Sequence, residues 1–415
     1  MIAGQTILCL ASGYDAPPTS KHHIMHLLAR DNTVLWVNYH GSRAPSARAS
    51  DLRAAIGKLT QIGKGLREVR PGLHVLTPLL VPLPGKACVR GLNRMLVGRQ
   101  IRRSLQRVSR GPLWVWSFAP DVAYLVRQFP ATYSVYYCVD DFASFHGYDA
   151  AQTLRDERDL CQCADLVVTT SANLQRAKAP WNPNTLMVTH GVDYDHFATA
   201  LRSDLPEPAD MANIPRPRLG FFGLIRDWVD VGLLAEIARV RPGWHFVLIG
   251  DSAVPLRQYR GLPNMHFLGP RPYAQLPSYC KGFDLGLIPF VINDLTRAAN
   301  PIKLREYLAA ALPVVSTPLP EASRCDGVHL AQGVESSVHE IELALQTPSS
   351  VRLSYSAAMR EETWSGKLDQ IHRKLMEVDN EHRDGHDRPD RDGSRFLGQA
   401  GDRAQKLSPA VLRSR

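Results

Sequence analysis

Short runs of β-branched, leucine and aromatic residues alternate with helix-period segments along almost the whole chain, and this alternation most narrows the fold it can adopt. In the first half the strand-like runs are Thr6–Leu10, Thr33–Tyr39, His74–Thr77, Leu113–Phe118, Ser134–Val139, Leu166–Thr170 and Leu186–Thr189. Helical patterns fall between them near Ser20–Arg30, Ala87–Val108, Asp121–Gln128, Ala150–Cys163 and Ala172–Ala179. The runs are apolar on both faces, as strands buried in a parallel sheet should be. Alternation of this kind predicts a doubly wound α/β sheet.

The pattern breaks over Ala200–Arg218, where Pro206, Pro208, Pro215 and Pro217 fall without an apolar period, a composition typical of a linker. It restarts with Arg218–Phe222, Trp244–Ile249, Met265–Leu268, Asp284–Pro289, Pro313–Ser316 and a weaker Val328–Leu330. Helices are expected near Val231–Arg239, Tyr273–Cys280, Pro301–Ala310 and Ser337–Gln346. The expected organisation is a first α/β domain over 1–199, a linker over 200–217, a second α/β domain over 218–350, a C-terminal helix or helix pair over 351–378, and a charged, disordered tail over 379–415. A ligand site in the cleft between two such sheets is the default expectation.

Charge narrows the partners. The net charge is +9, and between Gly41 and Arg110 fifteen Lys or Arg face only two acids, Asp51 and Glu68. That asymmetry suits an acidic partner: anionic lipid, nucleic acid or a phosphorylated substrate. Ala87–Val108 mixes six arginines with leucines, which fits an interfacial helix on an anionic membrane, a nucleic-acid patch or a solvated helix with its leucines inward. The apolar loop Leu79–Pro84 before it favours membrane over nucleic acid. No apolar run reaches about 18 residues, so no spanning helix is expected. The seven cysteines are odd in number and scattered, which suits a reducing compartment. Cys161 and Cys163 lack a second pair, and His382 and His386 lie in the charged tail, so no metal site is expected.

The most informative local stretch is Asn300–Val315, NPIKLREYLAAALPVV. Asn300 suits a helix N-cap, and Pro301 the first helical position. Lys303 and Glu306 are three apart and share a polar face. A helix N-terminus with a lysine in its first turn attracts phosphate, and a glutamate one turn deeper suits a ribose diol. The stretch reads either as a nucleotide-sugar site or as an ordinary amphipathic helix. Before it, Gly223 would let a ligand approach the backbone, and Arg226 suits a diphosphate clamp or a plain turn.

In the first half, Asp140 and Asp141 stand at the carboxyl end of a strand, where α/β folds place their chemistry. Asp140 is read as a general base and Asp141 as a helix cap. One of His22 and His23 must point away from the core, where it reads either as a contact to substrate phosphate or hydroxyl or as a merely solvated loop histidine, and His190 follows the last strand of the first domain, facing the cleft.

Four segments carry a resemblance to a known family: HGVDYDHF (190–197), FFGLIRDW (221–228), MHFLGPRPYAQLPSYCKGFDLGLIPF (265–290) and NPIKLREYLAAALPVVSTPLPE (300–321). Together they resemble family 4-like glycosyltransferases of the GT-B fold, the subgroup that includes teichuronic-acid glycosyltransferases and, more distantly, the xanthan glucuronosyltransferase. The resemblance implies two Rossmann-like domains facing a cleft, the second holding a nucleotide-sugar and the first an acceptor. By it, Lys303 corresponds to a phosphate contact, Glu306 to the ribose contact, and Asp140 to the region of the aspartate proposed as base. The chain departs from the family where Ala299 replaces a glutamate seven residues before Glu306, and where Leu224 and Val229 replace an Arg and a Lys.

The expected function is therefore sugar transfer from a nucleotide donor, a UDP-sugar, to a hydroxyl of a lipid-linked or polysaccharide acceptor in cell-surface or exopolysaccharide synthesis. The alternative is a non-catalytic glycan-assembly protein that keeps the fold. The site is expected to comprise Asp140 and Asp141, a donor set of Gly223, Arg226, Asn300, Lys303 and Glu306, and acceptor contacts from His22, His23 and His190. No cofactor or metal is expected, since GT-B enzymes generally bind none. The expected setting is cytoplasmic and peripheral, at the inner face of the plasma membrane, held by the basic 86–110 region and with no nucleic-acid partner.

Overall fold

The computed structural model describes residues 2–39, 65–79 and 87–383. The first sheet is built from β1 (Thr6–Ala11), β2 (Thr33–Asn38), β3 (Leu66–Arg70), β4 (Leu73–Leu76), β5 (Leu113–Ser117), β6 (Tyr133–Cys138), β7 (Leu166–Thr169) and β8 (Thr185–Met187). Its helices are α1 (Ser20–Leu28), α2 (Ala87–Val108), α3 (Ala123–Gln128), α4 (Ala150–Cys163) and α5 (Ala172–Lys178). The strand order is β3-β4-β2-β1-β5-β6-β7-β8. All pairs are parallel except β3 with β4. The sequence reading missed β3, because LREVR is a half-exposed, charged edge hairpin arm without an apolar run.

A short helix, α6 (Tyr194–Ala198), leads into the second sheet: β9 (Arg218–Phe222), β10 (His245–Ile249), β11 (Met265–Gly269), β12 (Leu285–Ile288), β13 (Val314–Ser316) and β14 (Val328–Leu330). These strands are all parallel, in the order β11-β10-β9-β12-β13-β14. The helices are α7 (Val231–Val240), α8 (Leu276–Gly282), α9 (Asp294–Ala298), α10 (Ile302–Ala309), α11 (Gly333–Leu345), α12 (Ser349–Ala358) and α13 (Trp364–Arg383). Strand order reverses beside β1 in the first sheet and beside β9 in the second, giving each a crevice at the carboxyl ends of its strands. The central strands of both, such as β1, β2 and β9, are buried on both faces, as their continuous apolar runs require.

The Pro-rich segment is not where the chain crosses between sheets. Met211 and Ile214 are buried in the second core, and Lys281 Nζ donates to the carbonyls of Arg202, Ser203 and Leu205. Glu207 pairs with Arg216 and Arg218, fixing the segment to β9. The crossing lies earlier, at Val188–Asp193. It is joined there by the returning chain: Val192 pairs with Thr363 as an isolated parallel bridge, and its N–H donates to the Glu362 carbonyl at 2.8 Å. Proline content marked an irregular segment correctly, but irregular backbone still packs when its apolar residues have a core to enter.

After the second crossing, α13 lays Trp364, Ile371 and Leu375 into the first core, while α12 stays with α10 through Ser356 Oγ donating to the Ala309 carbonyl at 2.7 Å. The helix continues past 379 to Arg383, so the first residues of the segment expected to be a disordered tail, 379–383, are helical. Residues 384–415 lie outside the described residues, as do the loop at 80–84 and the basic residues at 43–64.

Among the described residues no helix is long and apolar enough to cross a membrane. Helix α2 buries Val97, Ile101 and Val108 in the first domain's second core cluster and exposes Leu92, Met95, Arg99, Arg102 and Arg103. Gln100 bonds both the N–H and the carbonyl of Leu79, which is itself exposed, so Leu79 is held near this face.

Candidate active site

Helix α10 is not a surface amphipathic helix. Leu304, Arg305, Glu306, Tyr307, Leu308 and Ala309 are all buried. Tyr307 Oη accepts from the Phe222 N–H at 3.0 Å, which fixes the helix against β9. The first residue of the helix is Ile302 and the cap position is Pro301, so Asn300 is not the N-cap. Buried Asn300 instead donates from Nδ2 to the Thr170 carbonyl and accepts from Arg305, both at 2.8 Å. Those bonds make Asn300 a tie between the two sheets.

Lys303 sits in the first turn of α10. Its Nζ lies 5.3 Å from the centre of the Phe221 ring and 5.1 Å from that of Phe290. Phe221 belongs to β9 and Phe290 follows β12, so the ammonium stands over the crevice where strand order reverses. Gly223 adjoins it with φ +136°, a conformation that side-chain-bearing residues rarely adopt. A Cβ there would also come 3.2 Å from Lys303 Cε. Gly250 is pressed against the same turn, since a Cβ there would lie 1.8 Å from the Gly223 carbonyl oxygen. Two side-chain-free backbones thus border the lysine.

Glu306 lies one turn deeper, with Asp193 and Tyr273 nearby. Among the described residues neither Lys303 nor Glu306 makes a side-chain hydrogen bond or ion pair. Burial pushes the Glu306 carboxyl up and the Lys303 ammonium down, each opposed by the other's charge. Half-buried Arg226 likewise has no bonded partner among the described residues.

In the first sheet, Asp140 follows β6 and is half-buried. Desolvation raises its carboxyl to about 6, against the opposing charge of Lys21 and with help from Asp141. Asp141 stands at the cap of the turn Phe142–Ser144 and accepts the Ser144 hydroxyl at 2.6 Å. Lys21 was not singled out by the sequence reading. It follows β1 in the first turn of α1 and donates to Ser12 Oγ. A cation opening the helix after the first strand is the signal that could have found it.

The three histidines are each packed against other parts of the chain. His22 is buried, completes the capping box of α1 by accepting from the Thr19 N–H at 3.1 Å, and lies 3.0 Å from the Tyr14 carbonyl. His23 stacks on Trp364 at 5.0 Å and lies 5.7 Å from Tyr273. His190 is buried at the crossing, 5.8 Å from the Trp364 ring, with Nδ1 unbonded. Burial holds His22 near 4 and both others near 3, so all three are neutral at physiological pH. The rule that adjacent helical residues diverge was sound, but helix α13 covers the side that His23 faces. An open groove of about 920 Å³ lies behind the crossing, lined by His23, Arg30, Arg70, Arg110, Asp193 and Trp364 among others. It excludes Asp140, Lys303 and Glu306.

The two halves of the site meet through Phe145 and Trp228, whose rings contact edge to face at 6.2 Å. Trp228 belongs to the same turn as Gly223 and Arg226, and Phe145 lies four residues after Asp141.

Residues 216–345, which carry this helix and its crevice, match the family described as Glycosyl transferases group 1. A putative teichuronic acid biosynthesis glycosyltransferase, TuaH of Bacillus subtilis (strain 168), is 31% identical over 152 residues, 36% of this chain and 38% of the relative. The match thus spans well under half of that relative's length. Among solved structures, HepE of Anabaena in complex with UDP-glucose superposes with a TM-score of 0.62 at 16% identity, over 90% of this chain and all of that one. Sucrose-phosphate synthase of Thermosynechococcus elongatus gives 0.65 at 13% identity, again over 90% of this chain and all of its own. The two facing parallel sheets and the C-terminal return to the first are the GT-B fold, and its second sheet lies within the residues that match the group 1 family.

Proposed function

We propose that this chain is a glycosyltransferase that moves a sugar from a UDP-sugar to a hydroxyl of a lipid-linked or polysaccharide acceptor. The observation that carries the reading is the unbonded pair of half-buried Lys303 and buried Glu306 at the crevice between β9 and β12, within the residues that match the group 1 family. A buried carboxylate without a bonded partner is costly to keep, and a nucleotide diphosphate with its ribose would engage both side chains. HepE binds UDP-glucose in a similar fold, and TuaH is described as acting in teichuronic acid biosynthesis.

In this reading Asp140 accepts the proton of the acceptor hydroxyl as it attacks the anomeric carbon. Lys303, Arg226 and the N-terminus of α10 take up the charge of the departing diphosphate. That work is assigned to the chain's own cations, and the reaction is read as metal-independent. The exposed Leu79, Leu92 and Met95 beside Arg99, Arg102 and Arg103 suit an anionic membrane surface, and they support reading the protein as peripheral at the inner face of a plasma membrane, in cell-surface or exopolysaccharide synthesis.

The test is a panel of nucleotide sugars incubated with the full chain and membrane extract. Nucleotide release from one donor is expected, and release from none overturns the reading. Ala299, where family members carry a glutamate, favours one second reading: a glycan-assembly protein that binds nucleotide without turnover. Calorimetric UDP binding unaffected by Lys303→Ala, with no release from any donor, would support it.

A further inference from the structure

Three aromatic rings follow the aspartate pair within seven residues: Phe142, Phe145 and Tyr148. Phe142 to Phe145 and Phe145 to Tyr148 are each 6.1 Å between centroids, and Trp228 of the second sheet closes the row at 6.2 Å. Phe142, Phe145 and Tyr148 belong to none of the hydrophobic core clusters of the described residues. Phe142 and Phe145 are half-exposed, and Tyr148 is 37% exposed. Core packing therefore does not account for them, although an aromatic ring gains much by full burial.

The row is held in place. Ser144 bonds Asp141, and the N–H groups of Ser144, Phe145 and Tyr148 donate to the carbonyls of Asp141, Phe142 and Phe145. On the facing side the Val291 N–H donates to the Trp228 carbonyl at 2.9 Å, and Val291 is 37% exposed. Phe145 thus meets Trp228 across the two sheets, five residues after Asp140 on one side and in the turn that carries Arg226 on the other.

We propose that Phe142, Phe145, Tyr148 and Trp228 form the subsite that holds a pyranose ring of the acceptor, with the reacting hydroxyl turned toward Asp140. This rests on the glycosyltransferase reading above. An aromatic face suits the C–H face of a sugar, and Asp141, Ser144 and His146, interleaved with the rings, supply the polar partners that hydroxyls need. An acyl chain needs a continuous apolar surface, which these interleaved polar residues interrupt. A nucleobase would lie on the second sheet with the ribose that Glu306 is placed to bind. The subsite replaces the three histidines as the acceptor contact.

Saturation-transfer NMR on the full chain tests this, with the methyl glycosides of glucose, galactose and N-acetylglucosamine as probes. Saturation of the ring protons of at least one glycoside is expected. Phe145→Ala should weaken its binding about tenfold, and Phe145→Tyr should restore it. UDP affinity by calorimetry should stay unchanged in both variants. Trp228→Ala set against Trp228→Phe, which keeps a ring, gives the same comparison from the other sheet if Phe145→Ala does not fold. No saturation with the wild-type chain overturns the proposal, as does saturation untouched by Phe145→Ala. A parallel loss of UDP affinity assigns the rings to the nucleotide, and loss of binding to anionic vesicles assigns them to lipid; either overturns it. Saccharide binding without nucleotide release from any donor would overturn the enzymatic reading and leave the subsite standing.

Discussion

Arg305 Nη1 donates to Asn300 Oδ1 at 2.8 Å, and through that bond the helix bearing Lys303 and Glu306 is tied to the first sheet. Asn300 passes the tie to the Thr170 carbonyl, while Arg305 Nε reaches Glu362 at the crossing, at 3.1 Å. Lys367 shares Glu362 at 2.7 Å. One buried guanidinium thus joins the candidate donor helix, the first sheet and the C-terminal return.

Removing it should be expensive. Arg305→Met leaves Glu362 and Asn300 short of a partner in a largely buried network, which typically costs about 3 kcal/mol. Urea unfolding followed by circular dichroism should show this as a lower midpoint. A midpoint within error of wild type would mean that the network contributes nothing.

Glu306 should trade stability for binding. Its carboxyl is raised above its unfolded value by burial, so its contribution favours the fold at low pH and is lost as pH rises. Glu306→Gln is therefore expected to raise the melting temperature of the ligand-free chain at pH 8 while weakening UDP. Lys303→Ala should weaken UDP by about 2 kcal/mol, roughly 30-fold, as expected for a charge-assisted hydrogen bond. Calorimetry with UDP and a thermal melt on the same samples separate the two effects. A Glu306→Gln chain that both melts lower and binds UDP normally would contradict the assignment.

Acid should switch the reaction off through Asp140. With its carboxyl near 6, the base is ionised above that pH and protonated below it, so kcat/KM should rise along a limb centred near pH 6. Lys21 lowers that value by its charge. Lys21→Met should therefore move the limb to higher pH, whereas a limb that stays in place would show that another group controls it.

The basic face of α2 should govern membrane attachment. Replacing exposed Arg99, Arg102 and Arg103 by alanine is expected to reduce partition onto phosphatidylserine vesicles roughly a hundredfold at low salt. Cosedimentation measures it, and wild-type binding that does not fall with added salt would rule out an electrostatic contact.

Much of this molecule is legible along the chain, because its information is local. The buried strands announce themselves as apolar runs, and Lys303 and Glu306 fall on one helix whose spacing fixes their relation. Gly223 marks a turn by its lack of a side chain. The edge strand β3 escaped because an edge needs no apolar pattern. The surroundings of Asn300, His22 and His190 are not legible in the sequence, because each is a polar residue at a helix end or turn, where type alone does not separate a ligand contact from a buried bond. What occupies their polar atoms, or buries them, is backbone and side chains from 3 to 174 residues away: Thr19 and Tyr14 for His22, Thr170 for Asn300, and Trp364 for His190. Lys21 beside Asp140, and Phe145 against Trp228, likewise exist only once the strands have taken their order in the sheets and the chain has crossed between them. The sequence by itself determined the two α/β sheets and the polar face of the donor helix, since periodicity and spacing are properties of neighbouring residues. Which polar side chains stay open to a ligand was decided by tertiary structure alone, because burial and partners are set by segments that meet only in the fold.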